Sequence, residues 1–287
     1  MRELAGKRAV ITGAGAGIGR AIAQELARAG SRLFLMDVDA AALDAAVTEA
    51  RATGVDAMGH VCDIGDPAQV AQSAAAAEAQ WGGVDLLVNN AGIAYYGPTH
   101  EMTLEQWERL MAINLLGPIR LTHALLLSLR RQPEAHILNV ASVTGLVPKR
   151  RIAAYQTSKF GLVGFSQSLR AEYSPYGIGV TALCCGFVRT ELLATAAREG
   201  MNAATREPAK WYTVSPEYVA RAAIGAIRKN RGVVVVPAIA RLFWLIQRLS
   251  PGILDWHGHW VHRRAIRRKR RKAARGVPAP ARGASSH

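Results

Sequence analysis

A doubly wound α/β fold, a parallel sheet covered by helices on both faces, is what this chain predicts, and three observations predict it. Seven short apolar runs recur along roughly the first 240 residues, Ala-rich stretches of helical period separate them, and a glycine-rich turn joins the first run to the first helix. Near-continuous apolar runs suit strands buried on both faces, and their alternation with helices suits a parallel sheet. In order, RAVIT (8–12), RLFLMD (32–37), AMGHVCD (57–63), DLLVNN (85–90), HILNVAS (136–142), GVTALCC (179–185) and GVVVVP (232–237) read as strands. Helical periodicity fills 17–29, 40–52 and 67–80, and two longer helices are expected over 103–130 and 152–173. Pro118 bends the first of these or marks a boundary in it, because an internal proline removes a hydrogen bond. No repeat of 20–50 residues interrupts this plan.

Composition allows a sizeable core: 287 residues, half of them apolar and a fifth charged, exclude wholesale disorder. Cys62, Cys184 and Cys185 make an odd count without CxxC spacing, so neither a disulfide framework nor a zinc site is expected, and the compartment reads as reducing. The first residues lack a signal-peptide apolar core, which points to the cytoplasm. The net charge of +15 is unevenly placed: residues 241–287 hold twelve Lys/Arg and one acid, leaving residues 1–240 at only +4. The division expected is one domain over 1–238, including a lid at about 190–214, then an amphipathic, polybasic extension (239–275) and a disordered tail (276–287).

The first strand runs into Thr12-Gly13-Ala14-Gly15-Ala16-Gly17-Ile18-Gly19. Glycine there lets the backbone turn tightly and approach a pyrophosphate resting on the helix N-terminus. The GxGxxG spacing fails, but TGxxxGxG is matched by Thr12, Gly13, Gly17 and Gly19. Asp37 ends the second strand, where an acid can accept a hydrogen bond from a ribose 2′-hydroxyl and repel a 2′-phosphate. No Arg or Lys precedes Ile18 to receive that phosphate, so NAD(H) is expected over NADP(H). Further along, Tyr155 and Lys159 lie four residues apart, thirteen after Ser142. At i and i+4 they share a helix face, where the ammonium can lower the phenol's pKa and make it a general acid or base.

With these motifs in this order, the chain resembles the short-chain dehydrogenases/reductases, over about residues 5–237. The resemblance adds Asp63 after the third strand, Asn89-Asn90-Ala91-Gly92 after the fourth, and Asn114 in the long helix. It implies a Rossmann fold and an oxidoreductase of CH–OH groups, with Tyr155 exchanging the proton of the substrate oxygen. Lys159 would lower the Tyr155 pKa and bind the nicotinamide ribose, Ser142 would hydrogen-bond the substrate oxygen, and Asn114 would hold a water in the proton relay. The cofactor positions so implied are Thr12, Gly13, Gly17, Ile18, Gly19, Asp37, Asp63, Asn90, Ala91, Gly92, Tyr155, Lys159, Gly186, Val188 and Thr190. One departure stands out: Cys185 takes the place of the proline that usually precedes Gly186, which removes a fixed φ and could loosen the loop. Relatives are commonly dimers or tetramers built through the two long helices, so a homo-oligomer is implied.

Substrates in this fold bind outside the carboxyl ends of the strands. The expected lining is Ser142 and Tyr155 with Tyr95, Val147, Phe187 and Leu192, joined by Ile93, Tyr96, Leu146 and Leu193, with Trp211 and Tyr212 closing over it. Such a lining favours a lipophilic alcohol or ketone; no arginine clamp for a carboxylate is evident, although Lys149, Arg150, Arg151 and Arg189 stand near.

In the extension, Leu242, Phe243, Ile246 and Leu249 share a helical face, Trp244, Trp256 and Trp260 are amphipathic anchors, and 262–275 is strongly basic. Arg241, Arg248 and Pro251 interrupt the apolar stretch, so it is too short to span a bilayer and reads instead as an interfacial segment. Peripheral attachment to an anionic, cytoplasmic-side membrane is the reading preferred over an oligomer contact or a solvated tail. Two alternatives to the alcohol/ketone reading are a 3-oxoacyl reductase served by an acyl carrier, and a non-catalytic NAD sensor whose basic tail binds nucleic acid. The second is disfavoured, since a basic run without a recognition motif binds phosphate with little sequence preference.

Overall fold

A computed structural model describes residues 1–189 and 213–252. Its chain contacts divide it into two units, residues 1–241 and residues 242–287. The first unit holds seven strands: β1 Arg8–Thr12, β2 Arg32–Asp37, β3 Ala57–Val61, β4 Leu86–Asn89, β5 Ala135–Ser142, β6 Ile178–Cys185 and β7 Val233–Val236. All pair in parallel in the order β3-β2-β1-β4-β5-β6-β7. Helices α1 Gly17–Arg28, α2 Ala40–Arg51, α3 Pro67–Trp81, α4 Leu104–Met111, α5 Gly117–Arg130, α6 Ala153–Tyr173 and α7 Pro216–Arg228 lie between the strands, and α8 Ala238–Leu249 follows β7. This is the doubly wound Rossmann arrangement. β1 pairs with β2 through Ala9↔Leu33 and with β4 through Ala9↔Leu86, so the strand order reverses between β1 and β4. A crevice outside the strand ends is expected at such a reversal.

Alternation along the strands builds two cores. Ala9, Ile11, Leu33 and Leu35 face one side, with Ile22 and Leu26 of α1, Leu43 of α2 and Val219 and Ala223 of α7. Val10, Phe34 and Met36 face the other, with Val70 of α3, Leu121, Leu125 and Leu129 of α5 and Leu169 of α6. Successive residues of a strand point to opposite faces, so one apolar run feeds both cores. Each fully buried Leu or Ile contributes about 1.5–3 kcal/mol. Helix starts carry their own signals: Asp39 and Asp66 accept hydrogen bonds from the first turns of α2 and α3, Ser215 does so for α7, and Thr103 with Gln106 forms a capping box on α4.

The expected helix 103–130 differs from what forms. α4 ends at Met111, a π-helical turn follows over Ala112–Leu116, and α5 begins at Gly117 with Pro118 in its first turn. Proline is tolerated there because its missing N–H is one that a helix start leaves unpaired anyway. The third strand also ends two residues sooner than expected, at Val61, where its last pair with Asp37 is made. The stretch Leu104–Arg130 has the length and hydropathy of a membrane span, yet Leu121, Leu125 and Leu129 are fully buried in the fold.

The part of the second unit that is described continues α8. Leu242, Leu245 and Leu249 are its exposed apolar residues, while Phe243 and Ile246 are half-buried. Arg248 lies over the Trp244 ring at 5.8 Å. The expected anchors Trp256 and Trp260 and the basic cluster 262–275 lie outside the described residues, as does the tail 276–287.

Candidate active site

Where β1 and β4 diverge, two loops are tied together. Thr12 Oγ1 accepts hydrogen bonds from Asn90 N and Ala91 N, each 3.0 Å, and Asn90 Nδ2 donates to Thr12 O (3.0 Å) and Gly13 O (2.9 Å). Gly13 turns at φ +63°, a conformation side chains resist. A Cβ on Gly19 would lie 2.0 Å from Gly13 O and 2.4 Å from Asn90 Nδ2, so that position excludes any side chain. α1 then begins at Gly17 after Ala16, which supplies no side-chain cap. Its first N–H groups therefore keep their donor capacity facing a backbone-lined cradle, which fits a pyrophosphate.

Asp37 closes the cradle: Oδ2 accepts from Gly15 N at 2.8 Å and Oδ1 from Asp39 N at 3.1 Å. The capping of α2 falls to Asp39, which leaves Asp37 aimed at the glycine loop. Arg20, the first cation past the loop, is paired with Glu49 instead. Asp63, the expected adenine contact, accepts from Gly65 N (2.8 Å) and pairs with Arg109 of α4 (2.7 Å).

Beyond β4, Asn114 sits in the π-helical turn and is fully buried. Its Oδ1 accepts from Ile93 N (2.8 Å), and its Nδ2 donates to Ile93 O (2.8 Å) and Ser158 Oγ (3.3 Å). The turn thus holds open the strand-like stretch after Gly92. A Cβ built on Gly92 would stand 3.2 Å from Asn114 Oδ1 and 3.6 Å from Lys159 Nζ, so the three residues meet at one point. Extra-register turns of this kind inside helices are frequent at functional sites.

Ser142 is the last residue of β5 and pairs in register with Cys185. Its Oγ donates to Cys185 O (3.4 Å) and accepts from Thr144 N (3.2 Å) and Thr144 Oγ1 (2.9 Å). Tyr155 and Lys159 lie in the first two turns of α6, both buried. Lys159 Nζ donates to Val140 O at 3.0 Å and stands 5.7 Å from the centroid of the Tyr155 ring. Burial draws the Lys159 pKa down to about 8, against the opposing pull of Cys185 and Cys184.

The surroundings of Tyr155 act on its phenol in both directions. Burial, then the neighbouring Tyr96, push its phenol above the ordinary range; a hydrogen bond with Ser142 pulls the other way, and Cys185 adds to the rise. The Lys159 ammonium stands over the ring with one of its three N–H donors given to the Val140 carbonyl.

Cys185 does not loosen its neighbourhood. It is buried and ends β6 in register with both Ser142 and Val236, and Gly186 N donates to Val236 O at 2.7 Å. Burial raises its thiol pKa to about 12, so it behaves as an inert, well-packed side chain. Val188 bridges Val214, and Arg189 N donates to Val214 O (3.0 Å), which joins the two described ends of the expected lid. Thr190, Leu192, Leu193, Trp211 and Tyr212 lie outside the described residues.

On the substrate side, Tyr155 packs with Ala94, Leu110, Ile152 and Ala154, bordered by Ile93, Tyr95, Tyr96, Met102 and Trp107. The two tyrosines differ. Tyr95 lies over Gly97, where a Cβ would come within 2.9 Å of its ring, whereas Tyr96 is the one that bears on Tyr155. Val147 and Phe187 are half-buried, and Lys149 Nζ stands over the rings of Phe187 (4.3 Å) and Tyr96 (5.6 Å). Sequence reasoning missed Thr144, Ser158, Met102 and Trp107. Ser158 donates to Tyr155 O (2.7 Å) and links it to Asn114, and its position three residues after Tyr155 was a usable signal.

A parallel seven-stranded sheet, a glycine cradle for a dinucleotide and a buried Ser–Tyr–Lys set define a nicotinamide-linked oxidoreductase of alcohol and carbonyl groups. The family described as short chain dehydrogenase matches residues 7–200, and the chain belongs to it. A short chain dehydrogenase/reductase from Burkholderia phymatum in complex with NAD superposes at TM-score 0.79 and 30% identity, covering 88% of this chain and 97% of the other. A tryptophan-substituted actinorhodin polyketide ketoreductase with NADPH gives 0.73 and 30%, covering 82% and 97%. D-threitol dehydrogenase of Mycolicibacterium smegmatis is 36% identical over 190 residues, 66% of this chain and 73% of that protein. The family thus uses either nucleotide and acts on CH–OH groups of dissimilar molecules.

Proposed function

We propose that this chain interconverts a secondary alcohol and a ketone on a lipophilic small molecule, using NAD(H). The observation that carries the reading is that Ser142, Tyr155, Lys159 and Asn114 are all buried, with Asn114 linked through Ser158 to Tyr155 and meeting Lys159 at Gly92. When bound, the nicotinamide supplies or accepts the hydride. Tyr155 exchanges the proton of the substrate oxygen, with the Lys159 ammonium over its ring favouring the ionised phenol. Ser142, oriented by Thr144, donates a second hydrogen bond to the same oxygen, a preorganised stabiliser of the negative charge that develops there. Lys159 would hold the nicotinamide ribose, and Asn114 would hold a water that returns the proton from solvent.

Asp37 supports NAD over NADP, since its carboxylate on the glycine loop would face a 2′-phosphate with like charge. The lipophilic substrate is supported by the wall of Ile93, Tyr96, Val147 and Phe187. Reduction of 3-oxoacyl groups is the second reading, favoured by the likeness to the actinorhodin ketoreductase. Two further proposals concern partners. Exposed Leu116, Leu127 and Phe160, on the π-helical turn, α5 and α6, support a homo-oligomer. Exposed Leu242, Leu245 and Leu249, followed by the basic residues of 262–275, support peripheral attachment to an anionic cytoplasmic-side membrane. Flotation with anionic liposomes, comparing the full chain with one lacking 239–287, checks it; two soluble samples would rule it out.

The deciding experiment is initial-rate reduction of NAD⁺ and NADP⁺ across secondary alcohols of graded lipophilicity, with ketones and reduced cofactor in reverse. Turnover rising with lipophilicity and lost in Tyr155→Phe, with cofactor binding retained, is the expected result. Full activity in Tyr155→Phe would refute the assigned role.

A further inference from the structure

A cation stands at the mouth of this site with no carboxylate paired to it among the described residues. Lys149 lies four residues before the start of α6, and its backbone N–H donates to Gln156 Oε1 at 2.8 Å, which ties it to the residue after Tyr155. Its Nζ is 4.3 Å from the Phe187 ring centroid and 5.6 Å from that of Tyr96. Phe187 follows β6 and Tyr96 follows β4, while Lys149 itself follows β5. Three loops at the carboxyl edge of the sheet therefore converge on one ammonium. Tyr96 also packs against the cluster that contains Tyr155, which places the group beside the reacting phenol.

A surface lysine normally keeps its ammonium in bulk water. Here two aromatic faces hold it, and part of the residue stays open to solvent, so an incoming group can reach it. None of the ion pairs among the described residues involves Lys149. Ring faces attract a cation but leave its charge uncompensated, and among the described residues no carboxylate takes up its N–H donors. The two ring faces shield one side of the ammonium, and a charge-assisted hydrogen bond formed against them is stronger than a neutral one.

We propose that Lys149 is an anion subsite of the active site, receiving a carboxylate or phosphate carried on the end of the substrate remote from the reacting carbon. The inference rests on the oxidoreductase reading above and narrows its substrate class to apolar-bodied ketones or alcohols with an anionic head.

The test uses matched ketones of one chain length ending in a methyl group, a carboxylate or a phosphate ester, with the full chain and NADH. Wild type, Lys149→Gln and Lys149→Arg are compared by KM and kcat, and by calorimetric Kd on the NADH-loaded protein. In wild type the KM and Kd of one charged member fall about tenfold or more below those of the methyl member, as one charged hydrogen bond allows. In Lys149→Gln that ratio collapses towards one, kcat moving less than KM, and Lys149→Arg restores part of it. Whichever charged member shows the larger ratio identifies the head group. A ratio unchanged in Lys149→Gln overturns the subsite, as does a wild-type preference for the methyl member. Absence of turnover with every ketone counts against the oxidoreductase reading instead, and the Kd ratios still decide the role of Lys149.

Discussion

Replacing Asn114 with alanine asks how much of the fold hangs on the π-helical turn. The wild-type amide bonds both backbone groups of Ile93 at 2.8 Å and reaches Ser158 Oγ at 3.3 Å, from a position with no solvent exposure. Truncation strands the N–H and the C=O of Ile93; Ser158 loses less, because its hydroxyl still donates to Tyr155 O. A buried polar group left unpaired costs about 1–3 kcal/mol, so two set a range of about 2–6 kcal/mol. A water admitted to the vacated amide volume can bond both groups and moves the value to the lower half, about 3 kcal/mol. For a domain of this size each kcal/mol lowers Tm by about 2–4 °C, which gives a fall of about 6–12 °C. Urea denaturation followed by circular dichroism reads the free energy, and a thermal scan reads Tm. Asn114→Asp should do no better, because it keeps an acceptor for Ile93 N but turns an oxygen towards the Ile93 carbonyl. A Tm for Asn114→Ala within about 2 °C of wild type would show that the turn stands without the amide and would refute this account.

Gly19→Ala should lower NAD affinity by at least about tenfold, since its methyl group would overlap Gly13 O and force the cradle apart; unchanged binding by fluorescence titration would contradict that geometry. Asp37→Asn should keep the bond to Gly15 N while shifting the NADP-to-NAD ratio of kcat/KM upward by about tenfold; a constant ratio would remove Asp37 from cofactor choice. His136 supplies a pH signature. Burial first, then the N-terminal ammonium and Arg170, bring its pKa down from 6.5 to about 3. The unfolded chain therefore binds a proton that the folded chain refuses, so the stability present above pH 6.5 is lost as pH falls towards 3. The slope is about 1.4 kcal/mol per pH unit, and urea titrations between pH 4 and 7 should show it flatter by that amount in His136→Gln. Equal slopes in the two proteins would clear the imidazole.

The strands were legible because burial on both faces leaves little but apolar residues in them. The run 57–63 misled only at its end: Cys62 and Asp63 continue the composition, but β3 has no partner beyond Asp37↔Val61. The break in the helix 103–130 was half legible. Pro118 marks a boundary on any reading, whereas the π-helical turn depends on Asn114 reaching the backbone of Ile93, 21 residues away. The site shows the same division. Spacing placed Tyr155 and Lys159 on one helix face, yet it could not tell that Nζ would reach Val140 O, a contact made across to β5. Adjacent Tyr95 and Tyr96 were interchangeable as letters, and both pack against the Tyr155 cluster, Tyr95 lying over Gly97 as well. Asp37 was readable because a strand end fixes where its carboxylate goes.

The pairing of β1 with both β2 and β4 has a consequence for how the chain is made. Arg8 meets its β2 partner, Arg32, within a short span, but the other edge of β1 waits for Leu86, which pairs with Ala9. At a synthesis rate of roughly 5–20 residues per second, that interval lasts about 4–15 s. Throughout it a nascent chain carries an apolar strand with open backbone donors and acceptors, the kind of edge that recruits foreign strands. Fragments ending before residue 86 should therefore be sticky, and the arrival of Leu86–Asn89 closes that edge of β1 while passing the open edge to β4, which waits in turn for His136 of β5.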